Sequence, residues 1–158
     1  MMSSKKLTDE QIQWDVEKIN GYLCAIEAMN IAANIGVDYA FARLPEKHTL
    51  RESVESKIAA TYPDTVLANW HITLEPVPEK RLRESIQKWF FRFGNAAQLS
   101  ESLCSLPAGF MDILKPLLYT PAIYRIAMIP PLWYAIDWEL FVFDTKNGLF
   151  LLEFNVDA

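Results

Sequence analysis

The chain has 158 residues, of which 51% are hydrophobic and 22% are charged, and its formal net charge is −5. This composition excludes a disordered chain, and the length fits one globular domain over residues 1–158 with a flexible tail over 1–7. An acidic chain is not expected to bind nucleic acid through bulk charge. No segment has the roughly 20 apolar residues of a membrane span, and the N-terminus lacks a signal-peptide pattern. We therefore expect a cytoplasmic protein with no membrane partner.

The first helix has the clearest boundaries. Thr8 and Gln11 have the spacing of a capping box, and apolar residues recur at three- and four-residue steps from Ile12 onward. Gly36 fits a helix stop. The pattern therefore predicts a helix over residues 9–35. Glu27, Asn30 and Asn34 form a polar stripe over two turns of this helix. The stripe fits either the exposed side of the helix or a polar pocket.

The next segments alternate between helix and strand signals. Residues 37–44 fit either a short strand or an extra helical turn, and Thr49 with Glu52 predicts a second helix that ends before Pro63. Period-two patterning over 66–75, with Val66, Ala68, Trp70, Ile72 and Leu74 on one side, predicts a strand with one buried face.

Helices are predicted for most of the remaining chain before the C-terminus. A basic amphipathic helix is expected over residues 79–93, with Gly94 as its stop, and its five cations are expected to form a solvated face. Shorter helices are expected over residues 96–104, 108–118 and 121–129. Cys24 and Cys104 fall in apolar helical patterns, which predicts buried thiols, although one disulfide stays open.

The C-terminal end predicts a β-hairpin with arms over residues 133–144 and 149–156. Asn147-Gly148 is typical of the two-residue turn that such hairpins use. With these two residues as the loop, one apolar face contains two facing pairs, Phe143 with Leu152 and Phe141 with Phe154. The elements together predict an α+β fold, in which a long N-terminal helix and several shorter helices pack on one side of a small antiparallel sheet that includes the hairpin.

Five carboxylates in the hairpin are the candidate partner-binding residues: Asp137, Glu139, Asp144, Glu153 and Asp157. An acidic surface of this kind attracts a basic protein. The acids do not have the spacing of a metal motif, and no cofactor motif is present, so we expect neither a metal nor a cofactor.

The segment Trp70-His71-Ile72-Thr73-Leu74 resembles one half of the two-histidine phosphoesterase signature. The resemblance implies a strand from which His71 and Thr73 point at a phosphate, with the imidazole moving a proton and the hydroxyl holding an oxyanion. That family uses two such motifs, and the only other histidine, His48, is not in one. His71 and Thr73 therefore supply at most half of a catalytic site.

No local motif identifies a function, and we keep three hypotheses. The first is a small acidic protein-binding module, an inhibitor or immunity-type protein that neutralises a basic partner; in size and charge the chain resembles toxin-neutralising immunity proteins of bacteria. The second is a subunit of a larger assembly or a homodimer that buries excess aromatic residues. The third is a phosphoesterase-like hydrolase that uses the single His-x-Thr strand. The absence of other catalytic signatures favours the binding hypotheses over an enzyme.

Overall fold

The computed structural model describes residues 6–119 and 121–157, so residues 1–5 of the predicted tail lie outside the described part. The helices of the described chain are α1 (Asp9–Met29), α2 (Leu50–Thr61), α3 (Glu79–Phe90), α4 (Gly94–Gln98) and α5 (Leu106–Leu118), with a short 3-10 helix at Leu67–Trp70. The strands are β1 (Gly36–Leu44), β2 (Thr73–Pro76), β3 (Ala122–Ala127), β4 (Asp137–Thr145) and β5 (Gly148–Asp157).

The predicted α+β class is confirmed, with a long N-terminal helix and a C-terminal hairpin. All five strands form one antiparallel sheet in the order β1-β5-β4-β3-β2. The hairpin of β4 and β5 is therefore interior to the sheet, and β1 and β2 are its edges. The strand alternative for residues 37–44 is the correct one, because β1 pairs with β5 along its whole length.

The register of the hairpin differs from the prediction. Thr145 pairs with Gly148, so the two residues between them form the loop, and Phe143 pairs with Phe150 rather than with Leu152. Each partner on β5 moves by two residues, which preserves the side of the sheet on which every side chain lies. The predicted apolar face is therefore correct although the predicted pairs are wrong.

The side chain of Asn147 explains the shifted turn. Its Oδ1 accepts a hydrogen bond from the backbone N–H of Leu7, and its Nδ2 donates to the carbonyl of Leu117, each at 2.8 Å. Asn147 is fully buried. Its amide thus holds the start of the described chain and the end of α5 against the hairpin.

The side chain of Asn30 ends both α1 and α3 earlier than predicted. Its Nδ2 donates to the carbonyls of Ile26 and Phe90, and its Oδ1 accepts from the backbone N–H groups of Arg92 and Phe93. Those two N–H groups no longer continue α3, and α1 is capped at Asn30 itself. Both helices therefore stop short of their predicted ends.

The two glycines that were predicted as helix stops begin the next elements instead. Gly36 is the first residue of β1. Gly94 begins α4 with φ of 57°, and a Cβ at that position would collide with the carbonyl of Ile31. Only glycine combines that left-handed backbone with such a close approach.

The strand predicted over residues 66–75 is only partly correct. Residues 67–70 form the 3-10 helix, and His71 adopts left-handed backbone with φ of 48° before β2 begins at Thr73. The alternation arose because Trp70 and Ile72 are both buried, which a turn also allows. Residues 121–129 were predicted as a helix, but they contain β3, which pairs with β2 and β4.

Apolar clusters cover both faces of the sheet, so the prediction that helices pack on one side is wrong. On the helix face, the aromatic residues of β4 and β5 pack against α1, α3 and α5. On the opposite face, which we call the α2 face, Val54 of α2 and Trp70 pack against the aliphatic residues of the strands. The hairpin is buried from both sides.

The thiols of Cys24 and Cys104 are free and exposed, and the prediction that they are buried is wrong. Cys24 lies on the outer side of α1, whereas Cys104 lies in the turn between α4 and α5 rather than in a helix. Within residues 6–119 and 121–157, no helix is long and apolar enough to cross a membrane.

Candidate partner-binding site

A cleft of about 240 Å³ opens between α2 and the α2 face of the sheet. Ligand pockets commonly measure about 300–1,000 Å³, so this cleft suits one side chain or one small group. Its charged and aromatic lining comes from four different regions of the fold: Asp38, Lys57, Tyr62, Tyr134, Glu153 and Asp157. We call it the acidic cleft.

Strand register places the acids of the cleft side by side. Asp38 on β1 pairs with Asn155 on β5, which lies between Glu153 and Asp157 on the same face. Alternate residues of a strand share a face, so all four side chains line the cleft. Two of the five predicted acids, Glu153 and Asp157, are therefore brought together with one acid that the sequence analysis did not select.

Glu153 is the most enclosed acid of the cleft. Burial raises the pKa of its carboxyl, with the positive charge of Lys57 opposing the shift and Asp38 adding to it. Among the described residues its carboxylate has neither a hydrogen bond nor an ion pair within 4 Å. A partly desolvated carboxylate without a direct partner is costly, and such groups mark functional sites more often than chance.

Aromatic rings form one wall of the cleft. Tyr134 packs against Tyr62, Trp70 and Trp138, with ring centroids 5.2–6.2 Å apart. Burial raises the pKa of both Tyr62 and Tyr134, and the charge of Glu153 adds to each shift, so their hydroxyls stay protonated at neutral pH. The wall is rigid because these rings are held by one another.

An exposed apolar surface borders the cleft. The segment of residues 128–136, which we call the β3–β4 loop, lines the cleft through Met128 and Tyr134. The nine exposed large hydrophobic residues of the described chain include four from this loop: Ile129, Leu132, Trp133 and Ile136. Scattered single apolar residues are normal on surfaces, whereas a local concentration is typical of an interaction site.

The sheet separates the five predicted acids into two groups, which corrects their interpretation as one surface. Asp137 and Glu139 lie on the helix face, whereas Asp144, Glu153 and Asp157 lie on the α2 face. Asp144 is exposed at the turn end of the hairpin and does not line the cleft. A partner that contacts Glu153 and Asp157 therefore cannot reach Glu139.

Glu139 belongs to a buried network that joins α3 to the sheet. Its carboxylate accepts hydrogen bonds from the Trp89 indole at 3.0 Å and from the guanidinium groups of Arg81 at 2.8 Å and Arg125 at 3.2 Å. Burial raises the pKa of Glu139, but the hydrogen bonds from Trp89, Ser85 and Arg125 outweigh it and the net pKa is lowered. This carboxylate is satisfied inside the protein.

The basic helix α3 is also largely neutralised by its own neighbours. Arg92 forms an ion pair with Asp137 at 2.7 Å and lies over the Trp89 ring, and Arg81 binds Glu139. Arg83 and Lys80 pair with acids on the same helix. The predicted solvated face is therefore correct for Lys80, Arg83 and Lys88, whereas Arg81 and Arg92, which follows α3, also bind acids of the sheet.

Polar side chains of α1 hydrogen-bond the edge of the sheet. Asn20 accepts from the N–H of Phe41 and donates to its carbonyl, and Glu27 accepts from the N–H of Tyr39. Asn30 caps the helix, and Asn34 lies beyond it with φ of 62°. The stripe is thus neither one pocket nor one exposed side. Glu27, together with Asn20 outside the stripe, hydrogen-bonds the backbone of edge strand β1, where bare groups would invite pairing with another chain, whereas Asn30 is buried and Asn34 is exposed.

The structure does not place His71 and Thr73 on a common strand. His71 is exposed in left-handed backbone at the end of the 3-10 helix, and Thr73 is the exposed first residue of β2. The geometry that the phosphoesterase resemblance requires is therefore missing. Within the described residues, no group of three His, Cys, Asp or Glu side chains could hold a metal ion.

The cleft contains residues that the sequence analysis missed, above all Asp38, Lys57 and Tyr134. Asp38 was in a segment whose helix-or-strand state was open, and Tyr134 was assigned to the hairpin arm rather than to a loop. The available signal was the doublet Pro130-Pro131, which forbids regular pairing and places the apolar residues after it in a loop.

Two crystal structures of citrus MAF1 share this fold. One superposes with a TM-score of 0.58 at 13% sequence identity, with 90% of this chain and 98% of that chain covered. The other has a TM-score of 0.57 at 17% identity, with 91% and 99% covered. At these identities the likeness is one of fold. No protein-family model and no curated protein matches the sequence.

Proposed function

We propose that this protein is a small protein-binding module, of the inhibitor or immunity type, that neutralises a basic partner through its α2 face. The observation that carries the proposal is the juxtaposition of the exposed β3–β4 loop with the acidic cleft. Specific interfaces combine aromatic and aliphatic anchors with a polar, charged surround, and the β3–β4 loop meets the acidic cleft through Met128 and Tyr134.

The distribution of charge supports a basic partner. The acids of the cleft are Asp38, Glu153 and Asp157, with Lys57 as its single cation. The whole chain is also acidic, with a net charge of −5. Complementary charge speeds the encounter of two proteins and discriminates against wrong partners more than it adds affinity.

Two equally exposed tryptophans provide a matched test. Trp133 in the β3–β4 loop is 66% exposed, and Trp14 on α1, which covers the other face of the sheet, is 64% exposed. Wild type, Trp133→Ser and Trp14→Ser would each be used to capture partners from the source cells, and the complexes weighed by native mass spectrometry at low salt and at high salt.

The proposal expects one stoichiometric complex with a basic protein that Trp14→Ser retains, that Trp133→Ser loses by at least about tenfold in affinity, and that weakens as salt rises. Equal retention by both variants would contradict the proposal. A doubled mass without a second protein, lost in Trp133→Ser, would replace the proposed partner by a second copy of this chain, which is the homodimer hypothesis.

A further inference from the structure

We propose that the acidic cleft receives a single guanidinium group, the head of an arginine side chain on the basic partner. This inference rests on the proposed function and names the chemistry of its contact. It follows from the atoms that line the cleft, from the space between them and from the lysine beside them.

Several polar atoms of the cleft are hydrogen-bond acceptors without a donor, and they lie beside the hydroxyls of Tyr62 and Tyr134 and the ammonium group of Lys57. The carboxylate of Glu153 has no direct partner among the described residues. The Oδ1 of Asn155, between Glu153 and Asp157 on the same face of β5, is buried and accepts no hydrogen bond. Asp38 completes the set. A buried acceptor without a donor is rare, so this group points to a ligand that supplies several N–H donors.

A guanidinium group matches that acceptor set better than an ammonium group does. It presents five N–H donors in a rigid plane, holds its charge at every relevant pH and is only weakly hydrated. Its flat face also stacks on aromatic rings, and Tyr62 and Tyr134 form such a wall in the cleft. The compact ammonium group of lysine has three donors and loses stronger hydration when it enters.

Lys57 is the one cation in the lining of the cleft, and it would compete with an entering cation for the acids. Burial raises the pKa of Glu153 and the charge of Lys57 opposes that rise, although no ion pair within 4 Å joins the two side chains. An entering guanidinium group must share the field of the acids with this ammonium group. Removing the positive charge of Lys57 should therefore tighten the binding of a cation, whereas it would weaken the binding of an anion.

The experiment titrates the full chain with N-acetyl-arginine methylamide and follows amide chemical shifts by NMR at neutral pH and low salt. The matched probes are N-acetyl-lysine methylamide and the uncharged N-acetyl-norleucine methylamide. We expect saturable, millimolar binding of the arginine probe, with shifts confined to β1, α2, β5 and the β3–β4 loop, and at least about threefold weaker binding of the lysine probe.

Three variants locate the site. Glu153→Gln, which is isosteric, should weaken the arginine probe by about tenfold, since hydrogen bonds between charged groups are the strong ones. Asp144→Asn removes the same charge from the same face outside the cleft and should change the affinity by less than about twofold. Lys57→Met should tighten the arginine probe.

Binding that does not saturate, equal binding of the arginine and lysine probes, or equal effects of Glu153→Gln and Asp144→Asn would overturn the inference. If Trp133→Ser loses the protein partner while the arginine probe does not bind, the guanidinium inference fails and the proposed function stands. If the arginine probe binds but Trp133→Ser keeps every partner, the proposed function fails instead.

Discussion

The two faces of the hairpin shift the pKa of a carboxylate in opposite directions. Glu139 and Glu153 lie on adjacent strands, with Glu139 paired to Phe154 and Glu153 paired to Leu140. On the helix face Glu139 accepts three hydrogen bonds from neighbouring side chains, and its pKa is lowered. On the α2 face Glu153 has no direct partner among the described residues, and its pKa is raised by burial.

The two faces of the sheet differ in what their residues contribute. The helix face contains the large aromatic core, the capped helix ends and the satisfied carboxylate of Glu139, although Nη1 of Arg92 is buried there without a hydrogen-bond partner. The α2 face contains a smaller core, a cleft in which Oδ1 of Asn155 is buried without a donor, and the exposed β3–β4 loop. Glu139 has hydrogen-bond partners inside the protein and Glu153 has none among the described residues, so we expect the first carboxylate to matter for folding and the second for partners.

The largest loss of stability is expected from Asn30→Ala on the helix face. The substitution leaves the N–H groups of Arg92 and Phe93 without their acceptor, and each such group costs about 1–3 kcal/mol when buried. We expect a loss of about 2–4 kcal/mol in the free energy of unfolding, measured by urea denaturation. The exposed Asn95→Ala should change it by less than about 0.5 kcal/mol. Equal losses for both variants would show that Asn30 does not hold the helix ends.

Glu139→Gln should have the next largest effect. Gln keeps the shape and still accepts from the Trp89 indole, but it loses the charged pairs with Arg81 and Arg125. Hydrogen bonds to charged groups contribute about 1.5–3 kcal/mol, and the half-exposed Arg81 places the expected loss at the lower end.

The matched control for Glu139→Gln is Glu84→Gln, whose pair with Lys80 is exposed. It should cost less than about 0.5 kcal/mol. Because the pKa of Glu139 is lowered from 4.5, its contribution is present above that pH and is lost as the pH falls through the folded-state pKa. A wild-type advantage that persists at the lowest pH would contradict this assignment.

Asn20→Ala should cost less and change association. The side chain makes two hydrogen bonds to the backbone of Phe41, so we expect a loss of about 1–2 kcal/mol. The uncovered edge of β1 should also increase self-association, measured by sedimentation velocity across protein concentration. Gln13→Ala, on the exposed side of the same helix, should do neither. A monomeric Asn20→Ala at every concentration would refute the edge-protection role.

Much of the fold could be predicted from the sequence because its signals are local. The cap of α1 at Thr8, the cap of α2 at Thr49 and the turn signal of the hairpin at Asn147-Gly148 depend on residues only a few positions apart. The predicted ends of α1 and α3 were wrong because Asn30 joins segments about 60 positions apart. No local pattern reveals such a contact.

The candidate site was only partly predictable for the same reason. Glu153 and Asp157 were selected as acids of the hairpin, but their meeting with Asp38 depends on β1 pairing with β5. Glu139 was placed in the same group because charge alone does not tell which acid finds internal partners. Its partners Arg81 and Trp89 lie on α3, about 50 to 60 positions away.

The most direct test of the contrast between the two faces is the stability of Glu153→Gln at pH 7, measured by urea unfolding beside Glu139→Gln. A raised pKa means that the folded protein binds the proton of Glu153 more tightly than the unfolded chain, so wild type loses stability as the pH rises above 4.5. We predict that Glu153→Gln is more stable than wild type at pH 7, that the gain disappears as the pH falls towards 4.5, and that Glu139→Gln is less stable at pH 7. A Glu153→Gln protein that is less stable at pH 7 would mean that the carboxylate is satisfied inside the cleft, and the contrast between the two faces would fail.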